Sequence, residues 1–515
     1  MKNSIILASI IVFILGCSVR ALPIIINFPY PIGYDSINYY LPLIYQFHSN
    51  GYDWNTLFPI YLLVVYFLSN TFWLDPYLAF NIINTLMYGA LGVSFLFLFS
   101  KTFRMPPYYS IWSCVFLLLQ LSLLRISWDL HRDILSIILF NVTVLIIGYS
   151  YRKNRSVTSR VKLYFLILVL SLLSVFTDRM YAILLIISSL IFALIRRYRY
   201  LFIINLLFIV LFVFYAISED NVTFLSMQSD IVQTLFNSDY GKNSIPEIDL
   251  AVLFVTLNGV LIPFFVIGFV DQVKRLTYLI IPLLISISFS FIWLVVPNYE
   301  YLVPERWIIL SSMFISVFAA YGLYLLPGYF RHNQNRQLLY YGCMIGFILY
   351  GIGFLVAPNG VITNLPSYFN SYTGFVFPLS MSMNSMEIPQ NRDVINIIQW
   401  LNEQTPEDSY VIGTIHWRGW FQLFLNPSHK YLYSEAILEN IIPKSSDLAN
   451  PPNSTSYLEN TQNLLCVRDT QSHLAKSPIY LIDVDQQHFE KNPKIVLHRF
   501  GKLNIYNASN MICNK

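Results

Sequence analysis

The sequence predicts an α-helical polytopic membrane protein with a small α/β domain at its C-terminal end. Three observations carry this. Of the 515 residues 56% are hydrophobic and only 12% are charged, and the mean hydropathy is +0.55, too apolar for a chain that faces water throughout. The apolar residues come in runs of span length, separated by short loops in which Lys and Arg cluster. After Ala357 the runs stop, and amphipathic helix and strand patterns replace them.

The spans follow from hydropathy and charge parity, since Lys and Arg of short loops stay on the cytoplasmic side. Lys2 precedes an apolar run that resumes after Cys17 and carries Arg20 within it. Ile14-Leu15-Gly16-Cys17 has the form of a lipoprotein cleavage box, but the continuing run fits an uncleaved first span over 4–22 better. The loop 23–75, with Asp35 and Asp53, is then external. Leu57 to Leu68 is too short to cross comfortably and reads as a re-entrant or surface helix, because counting it as a span would put every later basic cluster outside. A full span from Tyr77 to Ser100 ends at Lys101 and Arg104.

The next basic cluster, Arg152 to Lys162, makes 108–124 and 135–149 a hairpin. Its external tip is Arg125-Ile-Ser-Trp-Asp129-Leu-His131-Arg132-Asp133. Arg196, Arg197 and Arg199 make Val161 to Ile195 a second hairpin, which keeps Asp178 and Arg179 near water instead of at mid-membrane. Further spans run from residue 200 to residue 357, with Pro297-Asn-Tyr-Glu300 and Glu305-Arg306-Trp307 at an external turn. The total is about eleven spans, giving a membrane domain over 1–357 and an external α/β domain over 358–515.

In that domain Asn391 to Gln404 reads as an amphipathic helix stopped by Thr405-Pro406. Tyr410–Ile415, Ile479–Val484, Lys494–Arg499 and Lys502–Tyr506 read as strands. Of the five cysteines, none has metal-site spacing, and only Cys466 and Cys513 are placed to form a disulfide. The net charge of +4 is small and sits mostly in short loops, so no nucleic-acid partner is expected. Asn141-Val-Thr has the form of a glycosylation sequon but lies inside a span.

The spans are almost uncharged, whereas Asp35, Asp53, Asp129, His131, Arg132, Asp133, Asp178, Arg179, Glu300, Glu305 and Arg306 all map to external loops or span ends. Insertion explains basic internal loops but not acids, His and Arg gathered on the other face. Such a set suits transfer from a lipid phosphate: a carboxylate takes the proton of an incoming hydroxyl, and an Arg stabilises the departing phosphate. The lipid tail needs a groove between helices.

This layout resembles the GT-C class of integral-membrane glycosyltransferases, which includes protein O-mannosyltransferases and aminoarabinose transferases. The resemblance rests on Gly33-Tyr34-Asp35 in the first external loop, Trp54-Asn-Thr-Leu-Phe58-Pro59 before a surface helix, and Leu74-Asp75-Pro76-Tyr77 opening the next span. The acidic tip of the second loop and the external C-terminal domain extend it. It implies a polyprenyl-phosphate sugar donor, a protein, lipid or glycan acceptor, and transfer at the outer membrane face by inverting single displacement. Asp35 would be the catalytic base. Tyr34, Arg132, Asp178, Arg179, Glu305 and Arg306 are the candidate substrate-binding residues, Arg306 acting as phosphate clamp. Many members carry paired acids in the first loop, whereas Asp35 stands between Tyr34 and Ser36. A metal-using branch makes Asp129 and Asp133 candidate ligands of Mg or Mn.

Each residue also has a plainer reading. Asp35 also reads as a helix N-cap or turn residue, Asp129 as the N-cap of the hairpin tip with Asp133 in its first turn, and Asp178-Arg179 as an interfacial ion pair. His131 reads as a solvated loop histidine, and His416-Trp417-Arg418-Gly419-Trp420 as an aromatic core turn before a sugar-stacking site. At the level of the whole chain, the alternatives are a transporter or flippase of a lipid-linked or small polar substrate and a noncatalytic envelope protein. Uncharged midplanes and the lack of a visible repeat weigh against the transporter.

Overall fold

A computed structural model describes residues 2–29, 31, 35–53, 59–152, 157–218, 247–296, 299–329, 333–356, 388–413, 417–433, 478–484, 496–500 and 503–507. It divides into two compact units. The first comprises Met1–Ile26, Gln46–Phe369 and Thr373–Leu379. The second comprises Asn27–Tyr45, Asn370–Tyr372 and Ser380–Lys515.

In chain order the first part of the bundle contains α1 (Lys2–Asn27), α2 (Leu41–Asn50), α3 (Pro59–Phe72), α4 (Pro76–Phe97), α5 (Pro107–Leu118), α6 (Leu121–Asp129) and α7 (His131–Arg152). It continues with α8 (Val157–Val175), α9 (Arg179–Arg196), α10 (Arg199–Ser218), α11 (Glu247–Asn258), α12 (Ile262–Gln272), α13 (Thr277–Ser290), α14 (Pro304–Leu325) and α15 (Asn333–Val356). Five stretches, Ser4–Ile25, Pro76–Thr102, His131–Tyr149, Arg179–Arg196 and Pro304–Gly328, are long and apolar enough to cross a membrane. Counting each bent pair, α5 with α6 at 64° and α11 with α12 at 74°, as one span gives up to seven. This is fewer than the eleven expected; shorter apolar helices of 10–17 residues lie at Ile60–Phe72, Lys162–Val175, Arg199–Val210, Thr277–Ser290 and Leu338–Gly353, and the chain is a multi-pass membrane protein. The short run expected as a re-entrant or surface helix forms α3, 14 residues long.

Some polar side chains inside the bundle are paired between helices, which satisfies them in a medium without water. Asn141 Nδ2 donates to Ser94 Oγ at 2.9 Å, which explains why its sequon is not a surface site. Asn258 Nδ2 donates to Ser312 Oγ at 2.8 Å. Glycines bring particular helices together: a Cβ on Gly16 of α1 would lie 2.9 Å from the Gly89 Cα of α4, and one on Gly268 of α12 would drive into the Phe318 carbonyl of α14. Nearly every residue of α14 is buried, so it forms the axis of the bundle.

The second unit contains α16 (Ile388–Gln404), β1 (Tyr410–Gly413), α17 (Arg418–Phe424), β2 (Lys430–Tyr433), β3 (Ile479–Val484), β4 (Val496–Phe500) and β5 (Leu503–Asn507). Its sheet has the order β2-β1-β3-β5-β4. Strand β1 pairs parallel with β2 and β3, whereas β5 pairs antiparallel with β3 and β4. Val394, Ile397, Ile398 and Leu401 of α16 join Trp417, Trp420, Val411, Ile482 and Ile505 in one core. Ile37, from the segment carrying Asp35, is part of that same core. Cys466, Cys513 and His416 lie outside the described residues.

Candidate functional site

Within the first unit the hairpin tips converge. The two helices of the first tip break at Leu130, so that Asp133 lies in the first turn of α7. Asp178 caps α9, its Oδ1 accepting from the Met180 and Tyr181 amides at 2.8 and 3.4 Å. Each acid therefore sits where a helix dipole favours negative charge. Arg132 lies between them, its Nε 3.0 Å from Asp178 Oδ2 and 3.6 Å from Asp133 Oδ1. Asp133 and Asp178 are 2% and 3% exposed, so this is a buried acid–arginine cluster and not a solvated loop.

Arg306, half-buried in the first turn of α14, acts electrostatically on Asp133 and on Tyr181. The residue that starts this helix is strained: Val303 holds φ 49° and ψ 57°, a left-handed conformation that is costly for a β-branched residue. Glu305 lies in the same turn and is half-buried. Arg179 follows the cap of α9 and is also half-buried. The side chains of Asp129 and Glu300 lie outside the described residues, as does Tyr34.

Three expectations are corrected. His131 is not solvated but 0% exposed, with the Phe80 ring edge-on at 5.0 Å and 89°. Asp178 is engaged with Arg132 across the bundle, so the reading as a simple surface pair with Arg179 gives way to a cap and an inter-helix bridge. Asp129 ends α6 and does not cap α7. Charge parity locates the end of a span on one side of the membrane, but it does not say whether neighbouring helices cover that end.

Asp35 belongs to the second unit. It precedes a π-helical turn, Ser36–Tyr40, has φ −64° and ψ −33°, and makes no capping bond with its side chain. The N-cap role is therefore not what this carboxylate performs, and π turns are frequent at functional sites. The turn is anchored to α17: Asn38 Oδ1 accepts from the Gly419 amide at 2.7 Å, and a Cβ on Gly419 would collide with the Ile37 carbonyl. Trp417 and Trp420 are buried in the core beside Ile37, so this segment is an aromatic core turn and not an open sugar platform.

Asp133 faces Arg132 and Arg306, and Asp178 faces Arg132. Asp133 thus has a guanidinium beside it, and the side chain of Asp129, the other expected metal ligand, lies outside the described residues. Among the described residues no three His, Cys, Asp or Glu side chains are grouped to hold a metal. Elsewhere in the first unit, Leu15, Val19 and Leu22 of α1 line an apolar groove of about 320 Å³ with Leu118 at the end of α5, Leu119 just after it and Ile352 of α15.

Sequence reasoning missed Tyr181 and Arg20. Tyr181 is buried, and the charges of Asp133, Asp178, Arg306 and Arg132 all act on it. Its signal was its place three residues after the Asp178 cap, in the first turn of the same helix. Arg20 was visible only as an interruption of the first span.

No protein-family model matches the sequence, and no curated protein matches it. Among solved structures, the chain is similar to ArnT from Cupriavidus metallidurans bound to undecaprenyl phosphate. The identity is 12% over 98% of this chain and 97% of that one, with a TM-score of 0.49. It is also similar to the Archaeoglobus fulgidus oligosaccharyltransferase tethered by a disulfide to an acceptor peptide containing the NVT sequon. There the identity is 13% over 94% of this chain and 69% of that one, with a TM-score of 0.49.

Proposed function

We propose that this chain is a GT-C-type glycosyltransferase that moves a sugar from a polyprenyl-phosphate donor to an acceptor hydroxyl at the outer membrane face. The observation that carries the reading is the buried Asp133–Arg132–Asp178 bridge at the N-terminal ends of α7 and α9. Two buried acids and their guanidinium partners are costly to place in a membrane helix bundle, and such groups mark functional sites there.

In this mechanism Asp35 accepts the acceptor's proton as its oxygen attacks the sugar's anomeric carbon. The bond from that carbon to the phosphate oxygen breaks on the opposite side, which inverts the configuration and releases the lipid phosphate. Arg306 clamps the phosphate; Arg132, Asp133, Asp178, Arg179 and Glu305 orient the donor headgroup. The core shared by Ile37 and the C-terminal sheet supports a role for that domain in holding the Asp35 turn in place. No step requires a metal.

The test is transfer of labelled sugar from a lipid-linked donor in membranes containing the Asp35→Asn variant. Loss of a general base is expected to slow transfer by roughly 10² to 10⁴. Asn keeps the size of the Asp35 side chain and one of its acceptor oxygens, and the melting temperature of the variant separates loss of the base from damage to the fold. Full transfer by Asp35→Asn would refute the mechanism.

A further inference from the structure

Helix α3, Pro59–Phe72, contains no charged residue. Tyr61, Leu62, Val65 and Ser69 are buried, whereas Val64, Phe67, Thr71 and Phe72 are exposed. Val64, Phe67 and Thr71 recur at helical spacing and so form one outward face. A helix that lies flat on a membrane carries Lys or Arg along its water side. The exposed polar residues of α3, Asn70 and Thr71, are confined to its last turn.

The turn from α3 into α4 sets the depth of this face. The apolar stretch Pro76–Thr102 has 27 residues, about 40 Å at about 1.5 Å per residue, which matches a bilayer of about 40–45 Å counted from headgroup to headgroup. Pro76 therefore lies at the headgroup level of one leaflet. From there α3 runs back along α4: the Tyr61 hydroxyl donates to Asn84 Oδ1 at 2.8 Å. Asn84 is in the third turn of α4, about 12 Å below its start. With 14 residues, α3 is about 21 Å long, too short to cross about 30 Å of hydrocarbon. It begins within the leaflet in which α4 begins.

Trp73, at the top of this turn, is 92% exposed and holds φ 53°. Helices commonly give that left-handed position to Gly or Asn, and a bulky aromatic residue there is strained. The turn imposes the strain. The Leu74 amide donates to the Ser69 carbonyl at 3.0 Å, and Ser69 Oγ donates to the Leu74 carbonyl at 2.9 Å. His48 Nδ1 of α2 lies 3.3 Å from that hydroxyl, and Asp75 caps α4 on the other side. A braced turn thus presents an indole outward at the headgroup level, where an indole is most favoured in a bilayer.

We propose that α3 is inserted into the leaflet at the start of α4, with Val64, Phe67 and Phe72 on lipid, and that Trp73 anchors it at the headgroup boundary. The partner of this surface is the bilayer itself. The spanning helix α4, against which α3 packs, exposes Leu78 and Leu86 to the same medium. Through Ser69 and His48 the anchor also ties the end of α2 to the membrane surface.

The experiment places the full chain in phosphatidylcholine nanodiscs and reads tryptophan fluorescence. Trp73→Gly is the reference, since glycine takes a positive φ without strain, and its difference from wild type is the emission of Trp73. A second chain combines Trp73→Gly with Val64→Trp, and its difference from Trp73→Gly alone reports the α3 face; Phe67→Trp reports the same face should Val64→Trp not fold. A nitroxide on the lipid headgroup is expected to remove most of the Trp73 emission, and bromine on the acyl chains most of the signal from the α3 face. Iodide in the water should quench neither. Free quenching of both by iodide, with the lipid-borne quenchers without effect, overturns the proposal and leaves this surface to a soluble protein or glycan. Equal quenching of both positions by the headgroup nitroxide with none by bromine overturns it too, because α3 would then lie flat above the hydrocarbon.

Discussion

Replacing Arg132 by Met tests the buried bridge most directly. Methionine keeps an unbranched apolar stem, so the loss is mainly the charge and its bonds. At 3.0 and 3.6 Å from Asp178 and Asp133, the guanidinium gains about 5 kcal/mol gross from each carboxylate at an effective dielectric constant of about 20. Desolvation of the three groups offsets most of that. What the variant reports is the cost of two buried acids left with Arg306 as their remaining cation, about 3–5 kcal/mol.

A double-mutant cycle separates this from general damage. Asp178→Asn keeps an oxygen for the Met180 and Tyr181 amides, so α9 stays capped. In the Arg132→Met background it also removes one of the stranded charges. The double variant should therefore be more stable than the sum of the two single losses by about 1–3 kcal/mol. Melting followed by tryptophan fluorescence in detergent, with denaturant titration for the free energies, measures all four corners. Strictly additive losses, or an Arg132→Met variant as stable as wild type, would refute the bridge.

The remaining predictions concern other joints of the molecule. Asn38→Ala removes the acceptor of the Gly419 amide and should destabilise the second unit by about 1–3 kcal/mol, measured as faster proteolysis at the Asp35 turn. Gly268→Ala places a methyl against the Phe318 backbone, where neither helix can yield without separating, and should cost about 1–3 kcal/mol or more by the same melting assay. Chelation of Mg and Mn with EDTA should leave transfer intact, since the acids of the cluster already face guanidinium groups; abolition of transfer, restored by adding metal back, would refute that.

The order of the helices was legible because span length and loop charge are each set by the bilayer. The same rules read Val161 to Ile195 as a hairpin, and the structure breaks it at Asp178, the start of α9. They could not foresee that α5 and α6 bend by 64°, since hydropathy averages over a break of a few residues. In the second unit β1, β3, β4 and β5 were read as strands, whereas Lys430–Tyr433 was not: only its single Leu is aliphatic, between two tyrosines and a lysine. The candidate site was legible in composition but not in depth: Asp133, Arg132 and Asp178 were identified, while their burial and the burial of His131 arise from neighbouring helices. Arg20 escaped because one charge in an apolar run reads as a tolerated flaw until its surroundings are known.

The distribution of charge over helix ends links these pieces. Helices α7, α9 and α14 begin with Asp133, the Asp178 cap and Glu305 in or beside their first turns, which is where the positive ends of the dipoles favour acids. Those acids attract Arg132 and Arg306, and the cluster is close to neutral. At α4 the equivalent position is taken by the Asp75 cap, which is exposed at the surface and accepts from the Tyr77 and Leu78 amides. Tyr77, in the first turn behind that cap, is in hydrogen-bond contact with Asn81 one turn further along the same helix, so at this end the acid of the cap and the polar side chains inside the helix serve separate partners.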